Sequence, residues 1–336
     1  MTMEELERFR SILQERQANV NEWLSAGPQV GVAELNKVRD LLADIQRSLH
    51  QIEDQTYGHC EACGDPVEMH LLEVQPIAHV CLACFTDEEK QMLEEEISIA
   101  SRIHRALLPQ KIEAIDGFEL AVKALAARAV GGDYYDFLRN DSGTRVKIVI
   151  ADSMGKGIPA GLMMSNLQGA LRVLAQDIES PGRLVSRLNH WLCRNLPVTK
   201  FVSLACLDLP IGSGPVSHGL AANAGHCPGI IVRQDDSVDR VAPTGTVLGV
   251  HEDFGYHERE IQLSRGDLLA LYTDGVTEAT NAFDEMFEAE RLTELLRNNR
   301  TMPLAELSDS ILSEVQRFSG RATLEDDLTL ILLRKT

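Results

Sequence analysis

Apolar positions follow two regimes along this chain, a helical one to about residue 108 and a mostly strand-like one beyond it. In residues 3–24, Leu6, Phe9, Leu13, Val20 and Leu24 fall near one stripe of a charge-rich segment without internal Gly or Pro. In residues 33–54 the steps of three and four are cleaner. Leu35, Val38, Leu42, Ile45, Leu49 and Ile52 trace a coiled-coil seam. Residues 25–31, SAGPQVG, carry a turn signal between the two. The pattern predicts an antiparallel helical hairpin; the plainer alternative is two amphipathic helices lying on another domain. Further on, Thr86, Asp87, Glu88 and Glu89 form a capping box, with Thr86 as N-cap and Glu89 reaching back to it. That helix runs to Leu108, stops at Pro109 and spans about 34 Å. It carries two apolar stripes: Leu93, Ile97, Ala100 and Leu107, then Met92, Ile99, Ile103 and Ala106. One stripe suffices for packing on one domain, so the second is read as a face for another copy of the chain; a single wide buried face is the alternative.

From Phe118 onward short strands are predicted over 118–124, 134–139, 145–151, 201–209, 215–222, 229–234, 255–262, 268–273 and 327–334. Helical patterns interrupt them at 158–178, 182–195, 285–298 and 303–318. Strands joined by turns, with helices in grouped blocks, imply stacked antiparallel sheets covered by helices, a multidomain α+β chain. Gly161 sits inside the first of these helices, where it costs about 1 kcal/mol against Ala. Close packing is the only reason the pattern offers for it.

Length and charge narrow the picture. At 336 residues there is room for two or three domains, here divided as 1–85, 86–109 and 110–336. A formal charge of −19 argues against a nucleic-acid surface, which needs clustered Lys and Arg. No basic segment followed by an apolar one opens the chain, and no apolar run reaches about 18 residues. The expectation is a cytoplasmic protein with no membrane partner. Seven cysteines in a reducing compartment point to metal or free thiols. Cys60 and Cys63, then Cys81 and Cys84, form two C-x-x-C knuckles, with Gly64 suited to the first turn. This spacing predicts a closed, structural Zn²⁺ site of four thiolates, which leaves nearby His59 and His79 outside the shell. Cys193 and Cys206 lie in apolar patterns and read as core.

The strand-like half carries its own chemistry. Asp133 follows Gly131 and Gly132, and Asp152 ends the apolar run Val146–Ala151 before Gly155 and Gly157. Asp274 ends a second apolar run, and Glu325, Asp326 and Asp327 open the last strand. Carboxylates at buried strand ends cost free energy unless a cation or hydrogen bonds compensate. Repetition on four strands is not what scattered turn aspartates would produce. Hard divalent cations take oxygen ligands held this way, and an all-oxygen site suits Mg²⁺ or Mn²⁺. Asp136 reads as a turn or structural carboxylate. The GKG at Gly155–Gly157 lacks the spacing of a phosphate-binding P-loop. His226 beside Cys227 could suggest a thiol nucleophile, but neighbours on a strand face opposite ways and no third orienting group is evident. Asn223 and His226 are read instead as shaping the turn or the site rim.

The motifs VGGDYYDF (130–137), ADSMGKGIPAGLM (151–163), NAGHCPGI (223–230), TVLGV (246–250), LYTDGVTEA (271–279) and EDDLTLILL (325–333) resemble the metal-dependent protein serine/threonine phosphatases. They are most similar to the bacterial branch that includes the sporulation stage II E phosphatase and stress-sigma-factor regulators. The resemblance covers about residues 93–336. It implies an α-β-β-α sandwich and two catalytic Mn²⁺ or Mg²⁺ ions held by Asp133, Asp152, Asp274 and Asp326, with the peptide carbonyl of Ser153 as a further ligand. Asp327 would support the ligands or join them. Arg128 and Lys156 are candidates to hold or steer the phosphate, Arg128 being equally a surface residue. Met154 stands where eukaryotic members carry a histidine that can act as general acid. The implied substrate is a phosphorylated anti-sigma-factor antagonist, and the implied role of the 86–109 helix is homodimerisation and switching. Residues 56–85 resemble the four-cysteine finger of the DksA/TraR family, in which a helical hairpin precedes the finger. Those proteins enter RNA polymerase with acidic residues at the hairpin tip; here the tip is AGPQVG. An RNA-polymerase-associated binding protein and a catalytically degenerate phosphatase-fold scaffold are the rival readings.

Overall fold

The structure, a computed structural model, describes residues 3–25, 31–197, 199–321 and 324–336. The chain forms two compact units, residues 1–96 and 97–336.

In the first unit the predicted helices are α1 (Met3–Ser25) and α2 (Val32–Glu53). Phe9 and Leu13 of α1 are buried with Ile45 and Ile52 of α2, while Leu6, Val20 and Leu49 pack around them. The Phe9 ring lies 5.6 Å from that of Tyr57, just past the end of α2, so the start of α1 meets the end of α2 and the pair is antiparallel. Residues 26–30 of the expected turn lie outside the described residues. The finger follows, with a six-residue helix α3 (Met69–Val74) that periodicity could not reveal in so short a segment. Leu71 and Leu72 of α3 join Tyr57, Val67, Cys60 and Cys81 in the same core. Helix α4 (Asp87–Leu107) starts directly after Thr86, and the boundary between the units falls within it. The side chain of Glu89 lies outside the described residues.

The second unit is a sandwich of two five-stranded antiparallel sheets. One has the order β1 (Phe118–Leu125), β10 (Leu328–Lys335), β9 (Leu268–Tyr272), β6 (Gly229–Val232), β7 (Val238–Val241). The other has the order β2 (Asp133–Arg139), β3 (Arg145–Ser153), β4 (Val202–Pro210), β5 (Val216–Ala224), β8 (Arg259–Ser264). Alternate residues of each strand face different layers. Ile148, Ile150, Leu207, Ile331 and Leu333 pack between the sheets. Val149 and Cys206 face outward beneath Leu167 of α5 (Ile158–Asp177) and Leu188 of α6 (Pro181–Asn195). Leu268 and Leu330 face outward beneath Leu296 of α8 (Glu288–Asn298) and Ile311 of α9 (Leu304–Ser319). Burial on both faces is why central strands read as nearly continuous apolar runs, interrupted in β3 by Lys147.

Four details differ from the sequence reading. The strand expected over 255–262 is β8, which starts only at Arg259 and runs to Ser264. Strand β7, VDRV, was not anticipated, because a four-residue edge strand with two charges carries no apolar signal. A one-turn helix α7 (Asp274–Thr277) follows β9. Helix α8 begins at Glu288, not 285, because an ordered turn fills residues 278–287. Gly161 also finds its reason. A Cβ there would lie 2.2 Å from Cγ1 of buried Val130, so α5 packs directly on the segment leading to Asp133.

Gly161→Ala sets helix propensity, worth about 1 kcal/mol in its favour, against overpacking a β-branched neighbour, costing about 2–3 kcal/mol. The variant is expected to melt about 3–6 °C below the parent; a Tm at or above the parent's would show that Val130 does not constrain the helix.

Candidate functional site

Asp133 opens β2 and is paired in register with Asp152 near the end of β3. Asp274 opens α7 directly after β9, and Asp326 lies just ahead of β10. Two carboxylates therefore come from each sheet, at the same end of the sandwich. Their charges meet at Asp152. Burial and then the charges of Asp133, Asp274, Asp326 and Asp327 push its carboxyl up to about 9.

Asp133 is buried, and burial pushes its pKa up to about 7. Two buried threonines partly offset that shift. Thr273 Oγ1 and Thr329 Oγ1 donate to its Oδ2 at 2.8 and 2.7 Å. Thr273 directly follows β9 and Thr329 lies in β10, so the sheet leading to Asp274 and Asp326 also fixes the Asp133 carboxylate. Asp274 is raised as well, by burial first and then by Glu278 and Asp326. Asp327 is turned toward the loop before Asp133, where its two oxygens accept from Ala127 N at 2.7 Å and Gly132 N at 2.5 Å. The glycines make room for this. A Cβ at Gly131 would lie 2.9 Å from Asp327 Oδ2, and one at Gly132 would lie 2.8 Å from Ser153 Oγ and 3.2 Å from the Ser153 carbonyl oxygen.

The two basic candidates separate. Lys156 Nζ lies 2.8 Å from Asp326 Oδ2 and donates to the Glu325 carbonyl at 2.8 Å. With Asp274, Glu278 and Asp326 it lines a cleft of about 390 Å³. Arg128 is exposed on the loop before Asp133 and rims a different cavity of about 310 Å³, lined also by Ser101, His104, Asp133 and Asp327. His104, on the part of α4 within this unit, is buried there, hydrogen-bonds the Gly131 backbone and has its pKa lowered by burial. Asp136 faces the other way, accepting from Tyr134 Oη at 2.6 Å and Arg172 Nε at 2.9 Å.

Asn223 and His226 build a turn beneath Asp152. Asn223 Oδ1 accepts from His226 N at 2.8 Å, and its Nδ2 donates to the carbonyls of His226 and Val241 at 3.2 and 3.3 Å. His226 Nδ1 lies 2.8 Å from Oγ of Ser203, the register partner of Asp152. Burial lowers the His226 pKa to about 4, so its ring is neutral. Burial, then the charges of Asp274, Glu278 and Asp152, push the Cys227 thiol up to about 12, which makes it a poor nucleophile. Cys206 is core as expected, whereas Cys193 is half-buried. Sequence reasoning missed Thr273, Thr329 and Ser203. For the two threonines the signal was a polar residue one or two positions from an aspartate beside an apolar run; Ser203 meets Asp152 only through the pairing of β3 with β4, which the sequence does not display.

The sulfurs of Cys60, Cys63, Cys81 and Cys84 all lie within 4.8 Å of one another, with His59 and His79 outside the set. Cys63 and Cys81 Sγ are 3.7 Å apart. A tetrahedron with sulfurs about 2.3 Å from its centre has edges of about 3.8 Å, so the Cys63–Cys81 edge has the length that four thiolates around zinc would give. Gly64 takes φ +80° in the first knuckle, where its N–H donates to the Cys60 carbonyl. Among the described residues the aspartate oxygens do not form so tight a group.

Residues 142–336 match the family model of stage II sporulation protein E, and residues 55–90 that of the prokaryotic DksA/TraR C4-type zinc finger. Phosphoserine phosphatase RsbU of Bacillus subtilis is 30% identical over 250 residues, covering 73% of this chain and 72% of RsbU. The RNA polymerase-binding transcription factor DksA of Escherichia coli is 37% identical over 60 residues, only 17% of this chain and 40% of DksA. Among solved structures, the SiaA-PP2C domain of Pseudomonas aeruginosa shares the fold, with a TM-score of 0.63 at 19% identity over 73% of this chain and 98% of that one.

The raised carboxyls fix a sign for the pH dependence of stability. At about 7 and 9, Asp133 and Asp152 keep protons that the unfolded chain, near 3.8, has lost. Their contribution is full below about pH 4 and is lost as pH rises through 7 and then 9. In EDTA, Asp152→Asn is expected to raise Tm at pH 9 by about 3 °C or more and to flatten the fall between pH 7 and 9. A thermal melt series in which the variant is the less stable would contradict the repulsion inferred here.

Proposed function

The chain belongs to the stage II sporulation protein E family of PP2C-type serine phosphatases, and we propose that it removes phosphate from phosphoserine or phosphothreonine on a signalling protein, with two Mn²⁺ or Mg²⁺ ions held at the end of the sandwich. The observation that carries this reading is the convergence of strand-end carboxylates from both sheets on Asp152. Asp133, Asp152, Asp274, Asp326 and the Ser153 carbonyl supply only oxygen donors, the set that hard divalent ions take. The protons retained by Asp133 and Asp152 are the charge that cations would replace. Ligands shared between two ions need not crowd as tightly as those around one, which suits the wider spread of the aspartate oxygens. When bound, such ions neutralise the phosphoester and make a water nucleophilic near neutral pH.

The remaining roles fall to the chain itself. Thr273 and Thr329 hold Asp133 in one orientation, and Asp327 fixes the loop that presents it. Lys156, beside Asp326 in the cleft, supplies positive charge for the incoming phosphate. Met154 is exposed and has no proton to give, so the leaving alkoxide takes its proton from a group other than the residue at this position. RsbU is named a phosphoserine phosphatase, and the substrate class proposed here is a serine-phosphorylated anti-sigma-factor antagonist. The four cysteines hold Zn²⁺ as a structural ion, and the hairpin and finger form a regulatory or targeting module. On α4, Ile99 and Ile103 are 42% and 58% exposed, which supports a face for a second copy of the chain. Among the described residues no helix is long and apolar enough to cross a membrane.

With Mn²⁺ present, phosphate release from the phosphorylated antagonist is expected to fall at least about 1,000-fold in Asp152→Ala, near the limit of detection, while circular dichroism stays unchanged. Turnover close to the parent's would refute the assignment. Sedimentation should show a dimer that Ile99→Glu with Ile103→Glu converts to monomer; a monomeric parent at high concentration would end the pairing proposal.

A further inference from the structure

Phe283 is 84% exposed. Single exposed apolar residues are ordinary, but this one is held out by an ordered turn. Asn281 Oδ1 accepts from the backbone N–H groups of Phe283 and Glu285 at 2.8 and 3.1 Å, and its Nδ2 donates to Glu285 Oε2 at 2.9 Å. Backbone bonds from Asn281 N to the Glu285 carbonyl and from Asp284 N to the Asn281 carbonyl close the tip, where Asp284 adopts φ +59°. Thr280 and Met286 pair across the base, and Phe287 N donates to the Ala279 carbonyl. Phe287 is buried with its ring 5.4 Å from that of Phe318, which anchors the turn in the core. A rigid turn that keeps a phenyl ring in water contributes nothing to folding that a polar residue would not.

The turn also adjoins the chemistry. Thr280 Oγ1 donates to Glu325 Oε2 at 2.7 Å, and Glu325 directly precedes Asp326. Glu278 and Ala279, at the base of the turn, line the same cleft as Asp274, Asp326 and Lys156. Met286, 48% exposed, adds apolar surface beside the prong.

Resting on the phosphatase reading, we infer that the 278–287 turn is a docking prong for the folded phosphoprotein substrate, with Phe283 entering an apolar pocket on it. Asp284 and Glu285, which follow Phe283 in the turn, are exposed and carry negative charge, so the rim of that pocket is basic. An aromatic anchor fixed before binding is well placed to contribute to affinity, since little conformational freedom is lost on contact. A small phosphoester that reaches only the cleft would not touch it.

The test compares the full-length parent with Phe283→Ala and Phe283→Tyr, with Mn²⁺, on two substrates: p-nitrophenyl phosphate and the serine-phosphorylated anti-sigma-factor antagonist of the same cell. For Phe283→Ala, kcat/KM on the phosphoprotein is expected to fall about tenfold, mainly through KM, with p-nitrophenyl phosphate unaffected. Phe283→Tyr should retain most of the parent's value. Equal losses on both substrates, or no loss on the phosphoprotein, would overturn the prong. A parent that hydrolyses p-nitrophenyl phosphate but not the antagonist would overturn the substrate class and the prong together, leaving the phosphatase reading standing. A parent inactive on both would remove the phosphatase reading itself.

Discussion

The structure depends on a hydrogen-bonded lock between its two sheets. Asp327, at the entry to β10 in one sheet, accepts from Ala127 and Gly132 in the loop that leads into the other. Thr329, two residues further along, reaches the Asp133 carboxylate, as does Thr273 just after the adjacent strand. Without these bonds, burial and repulsion would favour turning Asp133 away from its neighbours. Charge-assisted hydrogen bonds, roughly twice as strong as neutral ones, offset part of that cost. The lock explains the glycines around it. At Gly275 a Cβ would lie 1.9 Å from the Asp327 carbonyl oxygen, and at Gly131 one would crowd the Asp327 carboxylate. These positions admit little besides glycine because backbone and carboxylate approach so closely.

Much of this was legible in the residues. Apolar runs such as Val146–Ala151 and Leu268–Tyr272 marked strands buried on both faces, and each ended in an aspartate. The spacing of Cys60, Cys63, Cys81 and Cys84 fixed a cage before any coordinates. What stayed hidden was whatever depends on long-range approach. Asp327 looked like a companion of Asp326, and only the tertiary fold shows it bonded to amides about 200 residues earlier in the chain. Gly161 was a helix defect until Val130 came to rest on it. The turn at 278–287 looked helical at its end because its apolar residues alternate between anchoring, as Phe287 does, and exposure, as Phe283 does. Periodicity records spacing and not which face is covered.

The same geometry places stability and chemistry in opposition. A fold optimised for stability alone would not gather Asp133, Asp152, Asp274 and Asp326 at one end of its sandwich, where Asp152 retains a proton up to about pH 9. The compensation lies in the large apolar layers beneath them. Three separate clusters of buried side chains, one between the sheets and one under each helical layer, hold the strands in register whatever the charge state at their ends. Strained or repelling groups persist where surrounding packing over-determines their position, and they concentrate at functional sites.

The two candidate metal centres are sorted by donor chemistry and not only by position. The finger offers four sulfurs and the sandwich offers carboxylate and carbonyl oxygens. Thiolates favour zinc, whereas carboxylates favour magnesium or manganese, so each ion is drawn to one set without a separate device for discrimination. The cysteine cage shares a core with Leu71, Leu72 and Tyr57, so losing its ion would loosen the packing of that unit. The carboxylate end rests on layers that pack without it. The thiolate set is thus built into the core of residues 1–96, while the oxygen donors lie at one end of the sandwich of residues 97–336.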